Sequence, residues 1–204
     1  MRSTKSLNTG FTLIEISIVL VIIGLILSGI LNAQSVIRNA LTKDTIKGVN
    51  DIAAAAQQFR DRYGSWPGDL SNAVASIAPL TASCNGNGSG QVNTPAESIC
   101  ASEELIRTGM LKGTAGSPIT VRGSTTLSVT GATLALSGVP AGRFPTPNNW
   151  NNVVRIQGID CDIAIQMDRA TDDGNVDTGN FRTATACAGQ DENIPVANAV
   201  LRLN

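Results

Sequence analysis

Apolar residues run almost unbroken from Phe11 to Leu31, interrupted only by Thr12, Glu15, Ser17, Gly24, Ser28 and Gly29. A segment apolar on every side, at the ~20 residues needed to cross a bilayer, predicts a helix buried in lipid or among identical helices. From about residue 36 the pattern becomes one-sided. Val49, Ile52, Ala53, Ala56, Phe59 and Tyr63 recur at spacings of three and four and define one apolar face. Arg38, Lys43, Asp44, Lys47, Asp51, Arg60, Asp61 and Arg62 fill the remaining positions and read as a solvated face. The pattern therefore predicts one long helix from residue 11 to about 63. It stops at Tyr63-Gly64-Ser65-Trp66-Pro67-Gly68-Asp69-Leu70, where Gly64 suits a left-handed cap and Pro67 cannot continue the helix. Trp66 is placed over the top of the core.

Beyond this turn the periodicity is shorter. Residues 83–96 form a polar stretch rich in Gly and Asn and predict a loop. Residues 97–112 carry Ile99, Leu105, Ile106, Met110 and Leu111 and predict a short helix ending near Gly109 or Gly113. Residues 120–122, 126–130 and 133–137 alternate in places between Gly-containing turns and predict strands, as do residues 153–156. Ile163 to Met167 fits either helix or strand. The Pro- and Asn-rich stretch 143–152, with Phe144 and Trp150, predicts a loop that is either a plain connector or a contact surface. An antiparallel sheet laid on the amphipathic half of the long helix buries both apolar faces, so the fold class is α+β with disulfide-closed loops.

Composition narrows the chemistry. The 204 residues include 15 basic and 16 acidic side chains and no histidine. The commonest general base and zinc ligand is thus missing. No phosphate-cradling loop, dinucleotide fingerprint or nucleophile elbow occurs, and the expectation is a non-enzyme. The near-neutral balance does not predict nucleic-acid binding. Cys84, Cys100, Cys161 and Cys187 all follow the apolar helix, and their even number and wide spacing suggest disulfides in an oxidising compartment. Of the three connectivities, Cys84–Cys100 with Cys161–Cys187 is favoured because each closes a local loop. A metal site is the competing reading, weakened by the lack of any Cys-x-x-Cys pair.

The remaining informative residue is Glu15, a carboxylate at the lip of a membrane-length helix. A charge near the centre of such a segment costs about 2.5–3.5 kcal/mol, so it needs a reason. A secretory signal peptide would be cut after its apolar stretch, and Leu31 disfavours that site. A plain anchor explains the length but not Glu15. Gly10-Phe11-Thr12-Leu13-Ile14-Glu15, preceded by Arg2 and Lys5, resembles the N-terminus of type IV prepilins and type II secretion pseudopilins. The resemblance implies cleavage after Gly10 by a prepilin peptidase, N-methylation of Phe11, and pairing of Glu15 with the Phe11 amine of a neighbouring subunit. Many members of that family carry a helix-bending proline where this chain has Asn32.

What the resemblance implies is a leader over 1–10, a transmembrane and assembly helix over 11–35, and a periplasmic globular domain over 36–204. The basic leader keeps the N-terminus cytoplasmic. The implied function is a structural subunit of a type IV pilus or pilus-like filament, with a secretion pseudopilin or minor pilin as alternative. A membrane-anchored periplasmic binding module is the alternative of a different class. The implied partners are the prepilin peptidase, other pilin subunits, an inner-membrane assembly platform and, before assembly, the membrane. No cofactor is expected beyond one candidate. Asp172, Asp173, Asn175 and Asp177 lie on a Gly-bearing segment that suits calcium, as some pseudopilins hold, although the spacing is not that of an EF-hand. An Asp-Gly turn is the competing reading.

Overall fold

The computed structural model describes residues 11–115, 119–120, 133–139, 150–187 and 194–203. Gly10, the expected strand over 126–130, residues 121–122 and the loop residues 143–149 lie outside them, as does the Asn32 side chain.

Helix α1 (Leu13–Tyr63) is 51 residues long, roughly 75 Å at 1.5 Å per residue. Gly64 ends it in the left-handed region at φ 73°, its N–H donating to the Arg60 carbonyl at 2.8 Å. The predicted apolar face is the one buried. Val49, Ile52, Ala56 and Phe59 are each at most 1% exposed. Burial of side chains this size stabilises a fold by about 1.5–3 kcal/mol each.

After α1 come α2 (Ala73–Ser76) and α3 (Pro95–Arg107). Helix α3 starts two residues before the sequence pattern suggests, because Thr94 and Glu97 form a reciprocal capping box and Pro95 occupies the first turn. It ends at Arg107 rather than near Gly109. Then follow β1 (Ile119–Thr120), β2 (Thr133–Ser137), β3 (Val153–Gln157), β4 (Ile159–Asp160), α4 (Cys161–Thr171), β5 (Phe181–Thr183), β6 (Pro195–Val196) and β7 (Ala199–Arg202). The ambiguous Ile163–Met167 segment is helical, within α4.

Among the described residues the main sheet has five strands in the order β1-β2-β3-β7-β5, every pair antiparallel. A two-stranded β4–β6 ladder stands beside it. Strand β7, close to the C-terminus, sits between β3 and β5, with Val154 opposite Leu201 and Leu201 opposite Phe181. Leu134, Val154, Ile156, Phe181 and Ala199 of the sheet join Leu41, Val49 and Ile52 of α1 and Ile163, Ala164 and Met167 of α4 in one core. Higher up α1, Ala55 and Phe59 meet Leu70, Ala73, Ile77 and Leu105, while Ala56 packs with Trp66, Val92, Ala101 and Leu136.

Packing settles two side chains: Trp150, for which a connector and a contact surface were both open, and Arg38, expected on a solvated face. Trp150 does not stand out as a contact residue. It is 6% exposed, packs with Val153 and Val200, and lies under the Arg182 guanidinium at 5.2 Å from its ring. Arg38 is not on a solvated face. Its Nη1 lies 3.5 Å from Asp160 and 3.3 Å from Asp162, whose side chain is only 6% exposed. The pair joins α1 to the N-terminus of α4, where the helix dipole already favours Asp162. Neither partner is near the other in sequence, so no local pattern announces the contact.

Arg38→Ala leaves Asp162 covered and without its guanidinium. Hydrogen bonds to charged groups contribute about 1.5–3 kcal/mol, so the melting temperature should fall by roughly 5 °C for a domain of this size. Thermal melts of wild type and variant, followed by circular dichroism, measure it. An unchanged midpoint would show that the pair contributes nothing.

Candidate functional site

The N-terminus of α1 is built by its own capping box. Thr12 is extended at φ −78° and ψ 151°, and both its N–H and its Oγ1 donate to Glu15 Oε2 at 2.8 Å. The Glu15 N–H donates back to Thr12 Oγ1 at 3.4 Å. Free donors at the helix start are thereby satisfied, and the Glu15 carboxylate is held in one orientation. The Thr12-x-x-Glu15 spacing carries this signal in the sequence, although Thr12 was not among the residues singled out there. Ser17 Oγ donates to the Ile14 carbonyl at 2.8 Å, so its hydroxyl is also satisfied.

Among the described residues, every position from 11 to 30 around this cap is exposed. Fourteen large apolar side chains from Phe11, 85% exposed, to Ile30, 44% exposed, stand in the open. The helix is long and apolar enough to cross a membrane. Exposed to water, each such side chain forfeits on the order of 2 kcal/mol. The segment therefore demands lipid or other apolar helices around it.

The Trp66-Pro67-Gly68-Asp69 turn is a second concentration of polar groups. Asp69, 1% exposed, accepts the N–H groups of Ser89 and Gly90, both at 2.8 Å. The loop donates two more bonds, from Gly86 N–H to the Leu70 carbonyl and from Gly88 N–H to that of Asp69. Gly68 has φ 87°, and a Cβ there would fall 2.2 Å from the Glu97 carbonyl oxygen, so only glycine fits. Its N–H donates to Glu104 Oε2 at 2.8 Å. Glu104 is fully buried and its Oε1 has no partner. Burial pushes its pKa up to about 7, with Asp69 and Glu103 adding to the rise and the Gly68 amide opposing it. Glu103 accepts the N–H and hydroxyl of Thr81. The sequence marks this turn as the stop of α1, and the satisfied Asp69 fits a structural role. The sequence reading missed Glu104, whose signal was a carboxylate directly before Leu105, on the apolar face of α3.

The structure pairs Cys84 with Cys100 and Cys161 with Cys187. The first staples the Gly/Asn loop to α3. The second joins the start of α4 to the chain beyond β5.

Of the four residues considered for calcium, Asp172 and Asp173 come together, and a third carboxylate, Asp168, joins them with ligand oxygens within 4.8 Å of one another. Asn175 and Asp177 belong to the turn. Asp173 Oδ1 accepts the Asn175 N–H and its Oδ2 accepts the Thr178 hydroxyl, while Asn175 Oδ1 accepts the Asp177 N–H. Asp172 Oδ2 accepts the Asn180 N–H. The Thr178 hydroxyl and the Asn175 amide hold the Asp173 carboxyl below its ordinary range. Asp168 lies one helical turn before Asp172, a spacing visible in the sequence but not used. Burial, then the Asp173 and Asp172 charges, push its pKa up to about 6, against the nearby Gly174 amide.

With this geometry in place, comparison with protein families is informative. The family model for the prokaryotic N-terminal methylation motif matches residues 5–31. The chain thus carries a prepilin-type motif of the type IV pilin and pseudopilin kind, and the match takes in the uncovered residues 11–30. No curated protein and no solved structure matches the chain.

Glu104 gives a pH dependence of defined sign. Between the ordinary carboxyl pKa of 4.5 and about 7, the folded chain holds a proton that the unfolded chain has released. The stability from this group is complete below the lower value and lost as pH rises through the upper one. In melts from pH 5 to pH 8, wild type should lose more stability than Glu104→Gln, by on the order of 2 kcal/mol. Parallel curves for the two proteins would contradict this. Asp168 contributes with the same sign and leaves a residual slope in the variant.

Proposed function

We propose that this chain is a structural subunit of a type IV pilus or pilus-like filament. One observation carries the reading: the prepilin-type methylation motif coincides with a largely apolar helix start, uncovered over residues 11–30, with one oriented carboxylate, Glu15, near its beginning. In this reading residues 1–10 are a leader removed after Gly10 by a prepilin peptidase, and Phe11 becomes a methylated N-terminus. Residues 11–35 hold the subunit in the inner membrane until assembly. Residues 36–204 form the periplasmic domain and later the filament surface.

Assembly exchanges lipid for neighbouring helices. The apolar segment stays out of water throughout, so the hydrophobic effect alone does not fix the axial position of one helix against the next. Glu15 does. Both capping bonds fall on Oε2; Oε1 is left to meet the Phe11 amine of a neighbour. In a low-dielectric bundle a carboxylate without its partner costs about 3–5 kcal/mol, so a mis-staggered subunit is rejected. The role is mechanical, with no chemical step performed by the chain itself.

Mass spectrometry of the N-terminal peptide from a sheared surface fraction tests the reading. A peptide beginning at methylated Phe11 is expected there. The same peptide confined to the envelope would assign the chain to a secretion pseudopilus or to minor-pilin duty, and an intact leader in both fractions would refute processing. Glu15→Ala should lower the filament yield at least about tenfold while the periplasmic domain keeps its melting temperature. Undiminished filaments would remove Glu15 from assembly.

A further inference from the structure

We propose that Glu104 works as a proton-operated latch: neutral, it seats the 67–69 turn and the loop riding on that turn against α3; charged, it loosens both. Glu104 is fully buried. Its Oε2 accepts the Gly68 N–H at 2.8 Å, and its Oε1 has no partner. That one bond joins α3 to the turn where Gly68 leaves no room for a Cβ under the Glu97 carbonyl. With a proton on Oε1, Oε2 keeps the Gly68 bond and no charge is buried. Without the proton, a charged oxygen is shut away from water and from any donor, which costs more than the same group left neutral.

The Gly/Asn loop hangs on this turn through its amides. Gly86 N–H donates to the Leu70 carbonyl, Gly88 N–H to the Asp69 carbonyl, and the Ser89 and Gly90 N–H groups to the Asp69 carboxylate. Trp66 and Leu70 anchor the turn in the core on either side. The loop is tied at one end by Cys84–Cys100 and at the other by Asn152, which bonds Gly90 and Val92. What can lift is therefore residues 67–69 together with 85–89. Such an opening costs less than global unfolding, because it leaves the apolar packing in place.

The charges that act on Glu104 are acidic. Burial first, then Asp69 from the turn and Glu103 from its own helix, push its pKa up to about 7 against the Gly68 amide. Among the described residues no basic side chain forms an ion pair with it. Arg107 is taken by Glu103 at 3.8 Å, while at the end of α1 Arg60 lies over Trp66 and Arg62 over Tyr63. Glu97, also buried on α3, accepts the Asn93 and Thr94 N–H groups, and Asp61 of α1 is exposed. Strand β2, which meets α3 through Leu136 and Ala101, has no titratable side chain. The turn is therefore held most firmly near the ordinary carboxyl pKa of 4.5. It loosens as pH rises and levels off above about 7, where the closed form is ionised as well. The latch works in a lone subunit and needs no filament.

Hydrogen–deuterium exchange of the full chain in detergent micelles tests this, read residue by residue from about pH 5 to about pH 8 and corrected for intrinsic exchange. The amides of Gly86, Gly88 and Ser89 should exchange through a smaller opening than those of β3 and β7. Their protection should fall at least about tenfold over that range. In Glu104→Gln the fall should vanish. Asp168, pushed up to about 6 chiefly by burial, titrates in the same range but is present in both chains, so it cannot account for a difference between them. If Glu104→Gln does not fold, the wild type suffices: loop protection should level off at the midpoint of the Glu104 carboxyl carbon shift in NMR spectra, and a levelling point elsewhere would overturn the latch. Loop protection independent of pH would overturn it even if global stability follows pH. So would loop amides that exchange only together with β3 and β7, or a fall that persists in a folded Glu104→Gln chain.

Discussion

The whole structure hangs on the packing of one face of α1 against the sheet and α3. Val49, Ile52, Ala56 and Phe59 are all but sealed from solvent, and three separate parts of the core converge on that stripe. Without it, the strands, of two to five residues each among the described residues, would keep only the apolar face of α4 from this core to lie on. A sheet this short in its strands is not independently stable. Among the described residues, the same helix is exposed throughout 13–30. One element therefore carries two solvents' worth of requirements: an aqueous domain at one end, an apolar surround at the other.

Polar groups in the domain are placed by the same logic. Asp69, Glu103 and Glu97 are buried, yet each meets amides or hydroxyls brought to it by a turn or a helix cap. Glu104 is the partial exception, with one oxygen satisfied by Gly68 and the other by nothing. The Cys84–Cys100 bond holds the loop that supplies Asp69 with its donors. In the chain-entropy picture such a loop closure is worth about 3 kcal/mol, which offsets part of the cost of ordering a stretch so rich in glycine.

The two ends of α4 show how charge is distributed in this fold. At the N-terminus Asp160 and Asp162 answer Arg38 from a distant part of α1. At the C-terminus Asp168 sits buried with Asp172 and Asp173. One acidic group is thus matched by an arginine and a helix dipole, and the other opposes the dipole. The Cys161–Cys187 bond lies at the first end, and the carboxylate cluster lies at the second, within the same closed segment.

The sequence by itself determined the long helix, its division into an all-apolar and a one-faced half, its stop at Gly64 and the α+β class. These follow from periodicity and from residues with strong local preferences, which act over a few positions whatever the rest of the chain does. It also carried the prepilin-type motif in consecutive residues. Only the tertiary structure decided that β7, four residues long, lies inside the main sheet, between β3 and β5. Strands of that length are too brief to show alternation. Burial decided the ambiguous Ile163–Met167 segment, since a helix there can turn one face to α1. Arg38 with Asp162, Trp150 beneath Arg182 and Asp168 beside Asp173 were likewise settled by packing. Whether a charged or aromatic side chain is solvated depends on which distant surface folds over it, and no local pattern contains that.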